Sequence, residues 1–354
     1  MKRKSFKLIF SLILMMVVSC DEPETVVTNY VHTDGSVTRK IEMRSIADKI
    51  EDRFVVSDLQ VPFDSTWSVK DSCEIVDKGD TLWVRRAVKH FANVDDINLA
   101  YKNDSGVNKE ISRQVQFKKK FKWFNTEYRF GERIDKSMLY GYPIAEFLNS
   151  EELGYFYSSE NIQGEMQNGP DSLKYRAFEN SIGTKSDRWM SKSIVSEWIG
   201  EFSKLTEGHA GNDMTKQALK AREDEFVNLM NIYESKFDSM WSNGDILKEF
   251  IGEDKALKFK TEADSAISTV IKKITKNFKE YSVSIVMPGK VIGTNGFIDS
   301  SQVLLWPVKS DYFLTEPYEM WAESKIPNTW AWIVSGFFLV FVLTGMIMRV
   351  IKKG

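Results

Sequence analysis

The chain has 354 residues, 42% of them hydrophobic and 13% aromatic, a composition that excludes intrinsic disorder and leaves enough apolar material for a substantial core. Its 48 basic and 50 acidic side chains give a formal charge of −2, but seven cations sit at the two ends, and setting them aside leaves −9 for residues 20–348. A duplex-binding protein carries the opposite bias, so nucleic acid is excluded as the expected partner.

The chain opens MKRKSFKLIFSLILMMVVSC. Lys2, Arg3, Lys4 and Lys7 form a cationic head, and residues 8–18 are an apolar stretch too short for a span but right for a signal-peptide core. At its end, Val17-Val18-Ser19-Cys20 resembles the lipobox of bacterial lipoproteins. The resemblance implies removal of residues 1–19 as a lipoprotein signal peptide, lipidation of the Cys20 sulfur and acylation of its new amino group, with residues 20–28 as a lipidated tether. The acidic residues Asp21, Glu22 and Glu24 accompany inner-membrane retention in some such lipoproteins and export to the cell surface in others, so this end leaves the membrane open. Cys73 is the other cysteine; with Cys20 acylated no intrachain disulfide forms, and Cys73 reads as a small, half-buried strand residue.

Residues 26–134 read mainly as strands. Asp34-Gly35 is a turn pair, followed by Val37, Arg39, Ile41 and Met43 alternating with Thr38, Lys40 and Glu42. Residues 82–91 form a further strand, and residues 115–134 an aromatic-faced hairpin that turns near Asn125-Thr126. In the hairpin Val115, Phe117, Phe121 and Trp123 lie on one side and Lys118, Lys120 and Lys122 on the other, with Arg129 and Arg133 continuing the basic face. These five cations stand out on an acidic domain and are the candidate site for an anionic surface, such as lipid headgroups. The same lysines equally suit a solvated outer face that guards a sheet against aggregation.

Residues 186–281 change to helical periodicity. Apolar stripes run through Trp189, Val195, Trp198, Ile199, Phe202 and Leu205, then from Leu219 to Trp241, then from Leu257 to Tyr281, and predict three long amphipathic helices. Breaks are expected at residues 208–212 and at Ser242-Asn243-Gly244. Strand character returns at residues 281–287 and 302–306, around turns at Pro288-Gly289 and Asn295-Gly296. Strands, then helices, then strands predict one α+β domain over residues 29–328: an antiparallel sheet with a long helical insertion, about residues 186–281, packed on one face.

Residues 330–348 contain no charge and, as a helix, cover about 28 Å, close to the ~30 Å hydrocarbon thickness of a bilayer. Trp321, Trp330 and Trp332 read as an aromatic belt at the incoming edge, and Arg349, Lys352 and Lys353 close the far edge. The positive-inside rule then puts a tail of residues 350–354 in the cytoplasm, the transmembrane helix at residues 329–349 and the bulk of the chain in the periplasm. An α-helical span points to the cytoplasmic membrane rather than to a barrel-bearing outer membrane.

The run Met287-Pro288-Gly289-Lys290, then Asn295-Gly296, then Val303 and Trp306, resembles the strand-turn-strand signature of LppM-like bacterial envelope lipoproteins, which also pair a lipobox with a C-terminal span. The resemblance covers about twenty-five residues and the anchor layout, implies no reaction, and departs from the compact family domain in the long helical insertion.

Candidate chemistry is sparse. His32, His90 and His209 lack metal-ligand spacing, and no Gly-rich phosphate loop, nucleophile elbow or Ser-x-x-Lys motif occurs in a fitting context. Asp95-Asp96 and Glu151-Glu152 read as solvated turn carboxylates. No catalytic residue, metal or cofactor is expected. The reading is a membrane-tethered periplasmic lipoprotein acting as a non-catalytic accessory or protein-binding factor of the envelope; the alternative is a lipid or glycolipid binder at the membrane surface, using an apolar pocket between sheet and helices.

Overall fold

The computed structural model describes residues 24–46, 63–75, 81–104, 109–158, 163, 171–209, 214–233, 236–274, 278–298 and 303–352. The leader, Cys20 with its acidic neighbours Asp21 and Glu22, and the end of the tail from Lys353 lie outside the described residues.

The chain is α+β, as its periodicities predict. Eleven strands are described: β1 (Glu24–Val31), β2 (Val37–Ile46), β3 (Ser68–Ile75), β4 (Thr81–Phe91), β5 (Arg113–Lys122), β6 (Asn125–Ile134), β7 (Tyr281–Val286), β8 (Lys290–Thr294), β9 (Phe297–Ile298), β10 (Leu304–Val308) and β11 (Tyr318–Pro327). They divide between two sheets, a seven-stranded one ordered β3-β4-β2-β1-β7-β10-β9 and a four-stranded one ordered β5-β6-β11-β8. All pairings are antiparallel except β1 with β7.

Turn chemistry sets the register. Between β1 and β2, the Asp34 carboxylate accepts from the Ser36 amide at 2.9 Å, and Gly35 takes a left-handed φ of 95°. Between β7 and β8, Gly289 has φ 79° and lies so close to β11 that a Cβ there would sit 2.5 Å from the Lys325 carbonyl oxygen. That turn carries the chain from one sheet to the other. Only a residue without a side chain fits it.

The helices are α1 (Val94–Lys102), α2 (Ser150–Phe156), α3 (Ser172–Thr206), α4 (Lys216–Ala221), α5 (Glu223–Ile232), α6 (Phe237–Ser242), α7 (Asp245–Ile251), α8 (Glu253–Lys258), α9 (Lys260–Ile274) and α10 (Thr329–Ile351). The first predicted helix is 35 residues long and begins at Ser172, well before the apolar stripe. Its early turns are largely solvent-exposed, so they carry no core-facing pattern; the buried run starts at Trp189. The second stripe is corrected: Leu219 to Trp241 is divided among α4, α5 and α6, and its apolar spacing survives because all three pack around one centre. The predicted breaks hold, α3 ending at Thr206 and α7 starting after Gly244 in a left-handed conformation of φ 77°.

There are two hydrophobic centres. One lies with the sheets, around Ile41, Val283, Phe130, Trp306 and Met320; the other belongs to the helices, where Trp198 stacks on Phe202 at 4.7 Å and meets Phe226 and Trp241 edge-on. Phe156 and Tyr157 pack against both. Tyr157 stacks on Tyr318 of β11 at 5.7 Å while Phe156 abuts Trp189 of α3, so this aromatic pair couples helices to sheets.

Candidate membrane-facing site

The predicted cations all lie on the four-stranded sheet, whose two faces follow from the strand period of two. Along β5 and β6, Val115, Tyr128, Phe130 and Ile134 are buried, and the intervening residues face out. Register sets Lys118 opposite Arg129, Lys120 opposite Glu127 and Lys122 opposite Asn125, and Arg129 opposite Glu323 of β11. Lys118, Lys120, Lys122, Arg129 and Arg133 thus share one exposed face.

They are not equally free. Lys122 pairs with Glu127, Arg129 with Glu323 at 2.5 Å, and Arg133 with Asp135 at 3.1 Å and Glu319 at 3.4 Å. Arg129 also lies over the Trp321 ring at 4.4 Å. Lys118 and Lys120 have no ion pair among the described residues. A shallow groove of about 130 Å³ opens over Gly131, where the missing side chain leaves space between Gln114, Gln116, Lys118, Arg133 and Trp321.

The turn of this hairpin falls at Trp123-Phe124, two residues before the predicted one. Its tip packs on the start of α10, the described helix that is long and apolar enough to cross a membrane, with mean hydropathy 2.2. Phe121 stacks on Trp330 at 6.4 Å, Trp123 meets Trp330 edge-on at 5.2 Å, and Phe124 contacts Trp332 at 4.3 Å. The Trp123 indole donates to the Ser335 hydroxyl at 2.9 Å. Asn328, in the connection from β11, is held at every polar atom of its side chain: its amide donates to the Lys122 and Trp123 carbonyls at 2.7 and 3.2 Å and accepts from Thr126 at 2.9 Å. Its backbone N–H donates to the Phe124 carbonyl at 3.0 Å. Sheet and helix are therefore joined by a short, fully bonded corner.

The aromatic belt read from sequence is corrected here. Trp321 lies on β11 opposite Gly131, six residues before Pro327 and so about 20 Å up the strand. Trp330 and Trp332 are joined at the helix instead by Phe121, Trp123 and Phe124. The alternation rule put Trp123 on a strand face; two adjacent aromatics between Lys122 and Asn125 were the overlooked turn signal.

A second polar cluster was not foreseen. Buried Arg39 of β2 pairs with buried Glu132 of β6 at 3.1 Å and donates to Asn29 of β1 at 2.8 Å; the Tyr101 hydroxyl of α1 donates to Glu132 at 2.6 Å. Arg113 pairs with Asp104 and lies over the Tyr101 ring at 4.1 Å. Burial drives the Tyr101 phenol far above its usual range and the neighbouring Tyr281 up to about 12. Every member is enclosed and has at least one partner, although Asn29 Nδ2 and Arg113 Nε make no hydrogen bond; the Arg39–Glu132 pair bolts the two sheets together.

The remaining candidates are dispersed. His32 and His90 flank the Thr38 hydroxyl at 3.0 and 3.2 Å on the seven-stranded sheet, while His209 lies 3.6 Å from Glu262. Asp95 and Asp96 occupy the first turn of α1, capped by Asn93; Glu151 and Glu152 open α2, where Glu152 completes a capping box and binds Lys185 at 2.6 Å. Cys73 lies in β3 as predicted but is exposed, since β3 is an edge strand. Among the described residues no three His, Cys, Asp or Glu side chains converge as metal ligands would.

No family model and no curated protein matches the chain. Among solved structures, the NMR structure of the folded domain of LppM from Mycobacterium tuberculosis is weakly similar, with 10% identity and a TM-score of 0.28 over 86% of this chain and 91% of that chain.

Proposed function

We propose that this chain is a single-pass envelope protein, with its folded part outside the cytoplasmic membrane and its tail inside, acting without catalysis as an accessory or binding factor for another envelope protein. The observation that supports this most is the corner at Asn328: α10 leaves β11 without a linker, Asn328 between them is bonded to the β5–β6 tip, and Trp123 of that tip is bonded to Ser335 of α10. Such a joint holds a folded surface at a set height and angle over a bilayer, which suits docking of a membrane-bound neighbour. Arg349 and Lys352 beyond the apolar run favour a cytoplasmic tail. Protease added to intact spheroplasts should digest the folded part and spare a tag placed after Gly354. A protected folded part would reverse the topology. In vivo cross-linking should trap a stoichiometric envelope protein, and its consistent absence would remove the binding role.

The lipid-binding alternative is favoured by Lys118, which lines the groove over Gly131 and, like Lys120, has no ion pair among the described residues. Replacing Lys118, Lys120 and Lys122 with Ala should weaken binding to anionic vesicles, each exposed lysine near a charged surface contributing about 1 kcal/mol. Unchanged binding would leave the accessory role alone.

A further inference from the structure

We infer that the β5–β6 tip is a membrane wedge: Phe121, Trp123 and Phe124 enter the lipid interface beside α10, and a row of lysines just above them meets anionic headgroups. This rests on the reading of α10 as a membrane span.

The depth follows from where the tip touches the helix. Ser335 lies six residues beyond the first residue of α10, about 9 Å along a helix axis that rises 1.5 Å per residue. The uncharged stretch of α10 from Trp330 is bounded by Arg349, and its length of about 28 Å is no more than a bilayer core requires, so the helix has almost no room to slide. If residue 330 marks the edge of the hydrocarbon, Ser335 is below it, and so is the Trp123 indole bonded to it. That bond gives the indole N–H a partner where water is scarce, as a buried tryptophan requires. The tip is otherwise poorly placed for water: Phe121, Trp123 and Phe124 remain 58, 49 and 40% exposed even after packing on Trp330 and Trp332. Tryptophan, with an apolar ring and one N–H, favours the headgroup boundary, which applies to Trp123, while the Phe121 and Phe124 rings gain by leaving water.

The charge pattern above the tip fits the same surface. One outward row across the four-stranded sheet reads Lys120, Glu127, Lys325 and Lys290, three cations to one anion, two residues or about 7 Å from the Lys122-Asn125-Pro327 row that adjoins the corner. Lys325 and Lys290 stand directly opposite each other, a like-charge pair that destabilises an isolated sheet. An anionic headgroup between them relieves the repulsion. Arg129 and Arg133, further from the tip, are already satisfied by Glu323 and by Asp135 and Glu319. Among the described residues, Lys120, Lys325 and Lys290 beside the wedge have no ion pair, and Lys118 adds one more such cation a row further up.

The test uses the full chain in lipid nanodiscs, with photoreactive benzoylphenylalanine replacing Phe124, Gln116 on the outer face away from the tip, or Phe341 in mid-span. The expected result is acyl-chain adducts at positions 124 and 341 and none at 116, with adducts at 124 more abundant in discs containing phosphatidylglycerol than in phosphatidylcholine alone. That lipid preference should fall severalfold in the Lys120→Gln, Lys290→Gln, Lys325→Gln variant. Adducts at 341 without adducts at 124, or cross-links from 124 to a second copy of the chain in place of lipid, would overturn the wedge while leaving the span intact. Absence at both positions would overturn the span and the wedge together, and equal yields at 124 in both lipids would remove the lysine row.

Discussion

At the scale of single residues, charge in this protein is spent mostly on holding parts together. Arg39 and Glu132 are both almost inaccessible and bridge the two sheets, so deleting one partner leaves the other charge buried alone. Glu132→Ala should therefore cost about 3–5 kcal/mol, read by chemical denaturation, with Glu132→Gln less damaging. Glu42 shows the surface version. Partial burial pushes its carboxyl up, but Lys40, Arg86 and Arg44 outweigh this and hold it at about 2, below the usual 4.5. A lowered folded-state value means that this carboxylate stabilises the protein above pH 4.5 and loses that contribution as pH falls toward 2. Glu42→Gln should thus be destabilised relative to the parent at neutral pH, with the difference shrinking through that window. The Arg39–Glu132 bridge was not legible in sequence, because partners 93 residues apart meet only through the fold; of the Glu42 partners, Lys40 and Arg44 are local and only Arg86 comes from another strand.

At the scale of elements, periodicity was readable wherever one face is buried and the other wet. The β1–β2 hairpin, β4, the Lys118-to-Lys122 alternation and the buried half of α3 all follow from it. It failed where that condition fails: the early turns of α3 have no strongly buried face, and three short helices around one centre mimic one long one. It also misplaced the hairpin turn, since Trp123 and Phe124 are turn residues with tertiary partners in α10 rather than flexible polar ones. The Pro288-Gly289 turn, by contrast, was plain from composition, and the structure shows why glycine is needed. Gly289→Ala combines a left-handed φ of 79° with a close approach to the Lys325 carbonyl, and should lower stability by about 1–3 kcal/mol, measurable as an earlier denaturation midpoint.

At the scale of the whole molecule, the two proposed anchors are redundant. A spanning helix is effectively permanent and more than one acyl chain on Cys20 also holds stably, so Cys20→Ser alone should leave the protein in the membrane pellet after alkaline extraction, whereas Cys20→Ser combined with removal of α10 should release it. The fold also limits how close a lipid on Cys20 could bring β1 to the bilayer that holds α10. β1 runs parallel to β7, which starts with Tyr281 at Arg113 and exits at Pro288 against Ser324. Glu24 thus begins at the end of the sheet remote from α10, separated by roughly the length of β11, about 30 Å at 3.3 Å per residue. Four residues from Cys20 reach about 14 Å at most, so both anchors share one bilayer only if the sheets lean toward it. From sequence alone came the class of fold, the apolar helix and the alternating lysines, because each is written in local hydrophobic period and charge. Tertiary structure decided which aromatics stand beside the helix, which cations stay unpaired and how the two sheets are bolted, because those depend on register and on contacts between residues far apart in the chain.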